Sequence, residues 1–155
     1  MNPENRDPAL CRAFVDKAKG ILSQYPDIKH SWSIDADEDH CILDMPKVAE
    51  DGFNITIEVF ADDVIVSADG PHIHYHLGSS VETVADEALG LVRDLLSLSM
   101  RIREFYSNGK PYKWYMESIH NGKWQIEDKT YLIFFNWFGK RTEKYYQNNI
   151  LPSRL

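Results

Sequence analysis

The chain has 155 residues, of which 43% are hydrophobic and 26% charged, and its formal net charge is −7. This composition belongs to a folded chain rather than a disordered one, and the length suits a single α+β domain spanning residues 1–155. The longest apolar run, Tyr131 to Phe138, is strand-sized and well short of the ~20 residues a membrane-spanning helix needs, so no membrane partner is expected.

In chain order, the charged stretch from Met1 to Asp7 lacks the apolar core of a secretory signal, which predicts a cytoplasmic protein. Asp7-Pro8 resembles a helix cap followed by proline at the first helical position. Leu10, Phe14, Ala18, Ile21, Leu22 and Tyr25 then recur at helical spacing until Pro26. Ser31 to Asp35 and His40 to Met45 are expected to pair around an acidic turn. Ile55, Ile57 and Val59 alternate with polar neighbours before Ala61-Asp62-Asp63 turns the chain into Val64 to Ala68, the signature of a hairpin. After Asp69-Gly70-Pro71 a further strand runs from His72 to Leu77, with Ile73, Tyr75 and Leu77 on one face and three histidines on the other.

Ser79 and Glu82 have capping-box spacing and open the longest predicted helix, which the apolar stripe carries to about Tyr106, with Asn108-Gly109 and Pro111 as its stop. Leu89, Leu91, Leu96 and Leu98 lie outside that stripe, so this helix is expected to be buried on more than one side, by the first helix, the sheet or a second subunit. Tyr112 to Ser118 and Trp124 to Glu127 form a hairpin around Asn121-Gly122. Tyr131 to Phe138 is apolar on both faces and reads as a central or partner-facing strand, and Lys140 to Leu151 as a short terminal helix. The sum is a mostly antiparallel sheet with two main helices packed on one face, in the order helix, four or five strands, helix, three strands, short helix.

Charge is segregated along the chain. Between Asp27 and Asp69 twelve carboxylates face two lysines, whereas from Arg101 onward ten bases face five acids. Asp35, Asp37, Glu38, Asp39, Asp62 and Asp63 are therefore the candidate residues for recognising a protein partner with a basic surface, and the overall negative charge speaks against nucleic acid. A non-enzymatic binding module, chaperone-like or inhibitor-like, is the first expectation, since no nucleophile elbow or glycine-rich phosphate loop occurs. A homodimer through the long helix or through Tyr131 to Phe138 is the second partner expectation.

Chemistry is offered in three places. His72, His74 and His76 alternate on a strand, so that an adjacent pair with a carboxylate from a neighbouring strand (Glu58, Asp62 or Asp63) would suit zinc or iron. All three cannot share one ion, because His72 and His76 stand about 13 Å apart on such a strand. Trp114, Trp124 and Tyr131 are candidates for an aromatic ligand pocket between sheet and long helix. The segment beginning Asp35-Ala36-Asp37-Glu38-Asp39 imitates a calcium loop, but His40 and Pro46 occupy the positions that need glycine and glutamate. Cys11 and Cys41 are too few for a disulfide framework or a metal clip and read as two buried thiols. No resident cofactor is expected on the first reading.

Overall fold

The computed structural model describes residues 8–132 and 139–153. Helix α1 spans Ala9–Gln24, with Pro8 at its N-terminal boundary and Tyr25 at its C-cap. Asp7 lies outside the described residues, and Pro26 follows where the helix has already ended. A meander of five antiparallel strands comes next: β1 Ser31–Ile34, β2 Cys41–Met45, β3 Ile55–Val59, β4 Asp63–Ala68 and β5 His72–His76. Strict alternation explains its two faces. Leu43, Ile57, Val59, Val64 and Val66 are fully shut off from solvent on one face, while Thr56, Glu58, Ile65, Ser67 and the histidines line the other.

Helix α2, Val81–Leu95, lies with α1 across the apolar face. Its cap is Ser80, one residue later than the sequence suggests, whose hydroxyl accepts the Thr83 N–H at 3.1 Å. Phe14 and Leu10 of α1 and Val84, Ala85, Ala88 and Val92 of α2 fill the core. Each large side chain buried there stabilises the fold by about 1.5–3 kcal/mol relative to exposure. Leu89 and Leu96 are buried within the chain as well, which accounts for most of the apolar surface that suggested a second subunit, although Leu98 is 47% exposed. Among the described residues no helix is long and apolar enough to cross a membrane.

The helix ends at Leu95 rather than near Tyr106. Ser97 folds its hydroxyl back onto the Asp94 carbonyl and accepts the Ser99 N–H, and these local bonds compete with helix propagation. The chain then enters β6, Met100–Ser107, followed by β7 Lys110–His120, β8 Lys123–Tyr131 and β9 Arg141–Tyr146. These four strands form a second antiparallel sheet in the order β8-β7-β6-β9. Asn108-Gly109, expected to stop a helix, is instead a hairpin turn between β6 and β7. The Asn121-Gly122 hairpin forms as expected. The terminal segment is the strand β9 rather than a short helix, drawn in by pairing with β6. Of the run Tyr131 to Phe138, residues 133–138 lie outside the described residues, while Tyr131 ends β8.

The two sheets share buried residues: Met100, Ile102 and Met116 of the second belong to the same apolar cluster as the first. A buried amide ties them further. Asn148 accepts the Phe53 N–H and donates to the carbonyls of Phe53 and Leu95, each at 3.2 Å. Gly52 stands against it so closely that a Cβ there would meet Asn148 Oδ1 at 2.7 Å.

Candidate functional site

Antiparallel register brings the acidic turns together. Ile34 pairs with Cys41, Cys41 with Val59, Val59 with Val64 and Asp63 with His76. The β1–β2 turn, the β3–β4 turn and the C-terminal end of β5 therefore lie side by side at one end of the first sheet. Asp35, Asp37, Glu38, Asp39, Asp62 and Asp63, scattered over 29 positions of sequence, converge there. His40 links the two turns: its Nε2 lies 3.0 Å from Glu58 Oε1, its Nδ1 3.4 Å from Asp35 Oδ2, and its ring stacks on Phe60 at 4.9 Å. Glu38 is held by Arg12 at 2.7 Å. Asp37, Asp39 and Asp62 make no ion pair among the described residues, and Asp37 and Asp62 are exposed.

On the open face of the same end, Asp63 meets two of the three strand histidines. Oδ2 of Asp63 lies 2.7 Å from His74 Nδ1, and Oδ1 lies 3.3 Å from His76 Nδ1. The two rings stack at 5.6 Å with an interplanar angle of 24°. His72 packs edge-on against the far side of His74, ring centres 5.2 Å apart, but brings no nitrogen to Asp63. Its Nδ1 faces the Gly70 carbonyl at 3.4 Å and its backbone N–H donates to Asp128. The carboxylate left open by the sequence is therefore Asp63, while Glu58 is engaged by His40.

The second sheet sits at the opposite end of the first, where Trp114 lies beside Gly70 and Asp128 receives the His72 N–H. Its outer face is a lattice of cations and rings. The Arg101 guanidinium lies 4.1 Å from the Trp124 ring centre and 4.4 Å from that of Tyr145, and the Lys113 ammonium lies 4.0 Å from that of Phe105. Buried Glu117 anchors the lattice through Arg101 at 2.8 Å, and Arg103 joins it to Glu143 at 2.7 Å. That bond from Arg103 holds the Glu143 carboxyl below its ordinary range.

Trp114, Trp124 and Tyr131 do not converge. Trp124 and Tyr131 lie on the outer face, Tyr131 against Tyr115. Trp114 lies on the inner face and donates to Glu104 at 2.7 Å. It lines a cleft of about 270 Å³ together with Lys47, Asp69, Ile102, Glu104 and Tyr146, none of them from α2. Glu104 also accepts the Tyr106 hydroxyl at 2.5 Å, and burial with that bond raises the Tyr106 pKa. Sequence reasoning missed this group because it placed Glu104 and Tyr106 on a helix, where residues two apart do not share a face.

No family model matches the chain, and neither the curated proteins nor the solved structures contain a match to it.

Proposed function

We propose that the chain is an acidic protein-binding module that acts by docking a basic segment of a partner, not by catalysis. The observation carrying this reading is the gathering of Asp35, Asp37, Glu38, Asp39, Asp62 and Asp63 at one end of the first sheet by register alone. Asp37, Asp39 and Asp62 are the anchors, because the other three already have cationic or imidazole neighbours within the chain. The cation-rich sheet stands at the far end, so the field of the molecule orients an approaching basic surface toward the acidic turns and repels it elsewhere. Self-association has less support, since α2 spends most of its apolar surface inside the chain.

The test uses a fluorescent lysine- and arginine-rich peptide panel in anisotropy titrations. Saturable binding that weakens steeply with salt is expected, with a loss of about tenfold or more when Asp37, Asp39 and Asp62 are changed to lysine, since reversed charges repel as well as cease to attract. Affinity unchanged by the triple substitution would sink the reading.

A further inference from the structure

We propose that Asp63, His74 and His76 form a binding site for a divalent transition-metal ion of the zinc class. Three observations carry it, and none depends on the acidic end having a protein partner. The first is geometric. Asp63 is the register partner of His76, and His74 lies two residues earlier on the same face of β5. One donor atom from each of the three lies within 4.8 Å of the other two, the one such group among the described residues. Donors held 2.0–2.1 Å from a tetrahedral ion stand roughly 3.3 Å apart. The 3.3 Å from His76 Nδ1 to Asp63 Oδ1 already matches that spacing, while the 2.7 Å from His74 Nδ1 runs to the other carboxylate oxygen and must open on ligation. The His76 side chain is 76% exposed and has room to make the remaining adjustment.

The second observation is the orphaned oxygen. Asp63 Oδ1 is shut off from solvent and makes no hydrogen bond, although His76 Nδ1 stands 3.3 Å away. A buried carboxylate oxygen without a donor is costly, and a cation bound between it and the His76 nitrogen removes the cost. The third is the donor set. Two imidazoles and one carboxylate match zinc and its neighbours in the first transition row, whereas calcium and magnesium take oxygen cages. With three protein ligands on an open sheet face, the fourth position falls to water, so the ion is exchangeable and not locked in as in a four-ligand structural site. His72 contributes no donor atom to the set although its ring touches that of His74, so it serves as a control for ring packing without ligation.

The measurement is a titration of the full chain with zinc alone, against a chromophoric chelator and by calorimetry, with cobalt substitution to read ligand field from the visible spectrum. One equivalent per chain is expected, with affinity falling as pH drops and the imidazoles protonate. His74→Ala and Asp63→Asn should each weaken binding by about tenfold or more, because loss of a ligand costs at least as much as loss of its outer-shell support. His72→Ala should bind as the parent does. Circular dichroism melts of the metal-free variants separate lost ligation from lost folding. No saturable binding, or equal losses in His72→Ala and His74→Ala, would overturn the assignment.

Discussion

Cys11 and Cys41 face each other where α1 meets β2, and both are buried. Burial raises both thiol pKa values, and the hydrogen bond that the Cys41 thiol donates to Cys11 raises that of Cys41 further. A raised pKa means less thiolate than a free cysteine carries at any pH below it, and thiolate is the reactive form. At pH 8 the folded protein should therefore resist aromatic disulfide reagents for hours and release two equivalents on unfolding in guanidinium. Prompt labelling of either thiol in native buffer would contradict this account. The sequence reads these thiols as buried because an unpaired cysteine behaves as a small hydrophobe. It also recognised that a pair of strand histidines needs a cross-strand carboxylate. Which carboxylate was not legible, since Glu58, Asp62 and Asp63 differ by register and not by any local property.

At the scale of elements, the two Asn-Gly dipeptides are instructive. Asn108-Gly109 and Asn121-Gly122 adopt the same left-handed pair, with φ of 49° and 77° in one and 50° and 73° in the other. Both are hairpin turns of the kind that requires positive φ at each central residue. Only the second was read as one, because the apolar stripe through Ile102 and Phe105 suggested that a helix preceded the first. Short apolar runs satisfy helical and strand periods alike, and pairing with β7 and β9 decided the matter. A Cβ at Gly122 would meet nothing within 4 Å, so Gly122→Ala tests the backbone cost alone. It should lower stability by about 1–2 kcal/mol. Gly20→Ala, in the open interior of α1, should raise it by about 0.5–1 kcal/mol. Urea denaturation midpoints moving in the same direction for both would refute the assignment of the two backbones.

For the whole molecule, the join between the two sheets is decisive. Asn148 satisfies two backbone groups of Phe53 and one of Leu95, and next to it Gln147 donates to the Asp51 carbonyl while Ile150 and Leu151 donate to that of Leu96. Asn148→Ala leaves the three Asn148 partners without their donor or acceptor. It is expected to cost at least about 2 kcal/mol, since each orphaned buried group is worth roughly 1–3 kcal/mol. An unchanged urea midpoint would show that the junction is held by apolar contacts alone. Nothing in the segment around Asn148 signals this role: the sequence reads Lys140 to Leu151 as a short helix, and no local property separates Asn148 from Asn149 beside it.

The sequence by itself determined the α+β class, the first helix, the meander from β1 to β5, the start of α2 and the Asn121-Gly122 hairpin. All of these rest on relations between residues two to four positions apart: alternation, helical spacing, capping and positive φ. Tertiary structure alone decided where α2 stops, that residues 141–146 form a strand, that Trp114 and Trp124 face opposite sides of a sheet, and that Asp63 stands against His74 and His76. The physical reason is one of energy and range. Local propensities differ by about 1 kcal/mol or less per residue. Pairing and burial between distant segments exceed that, and they set the register on which every face and every site depends.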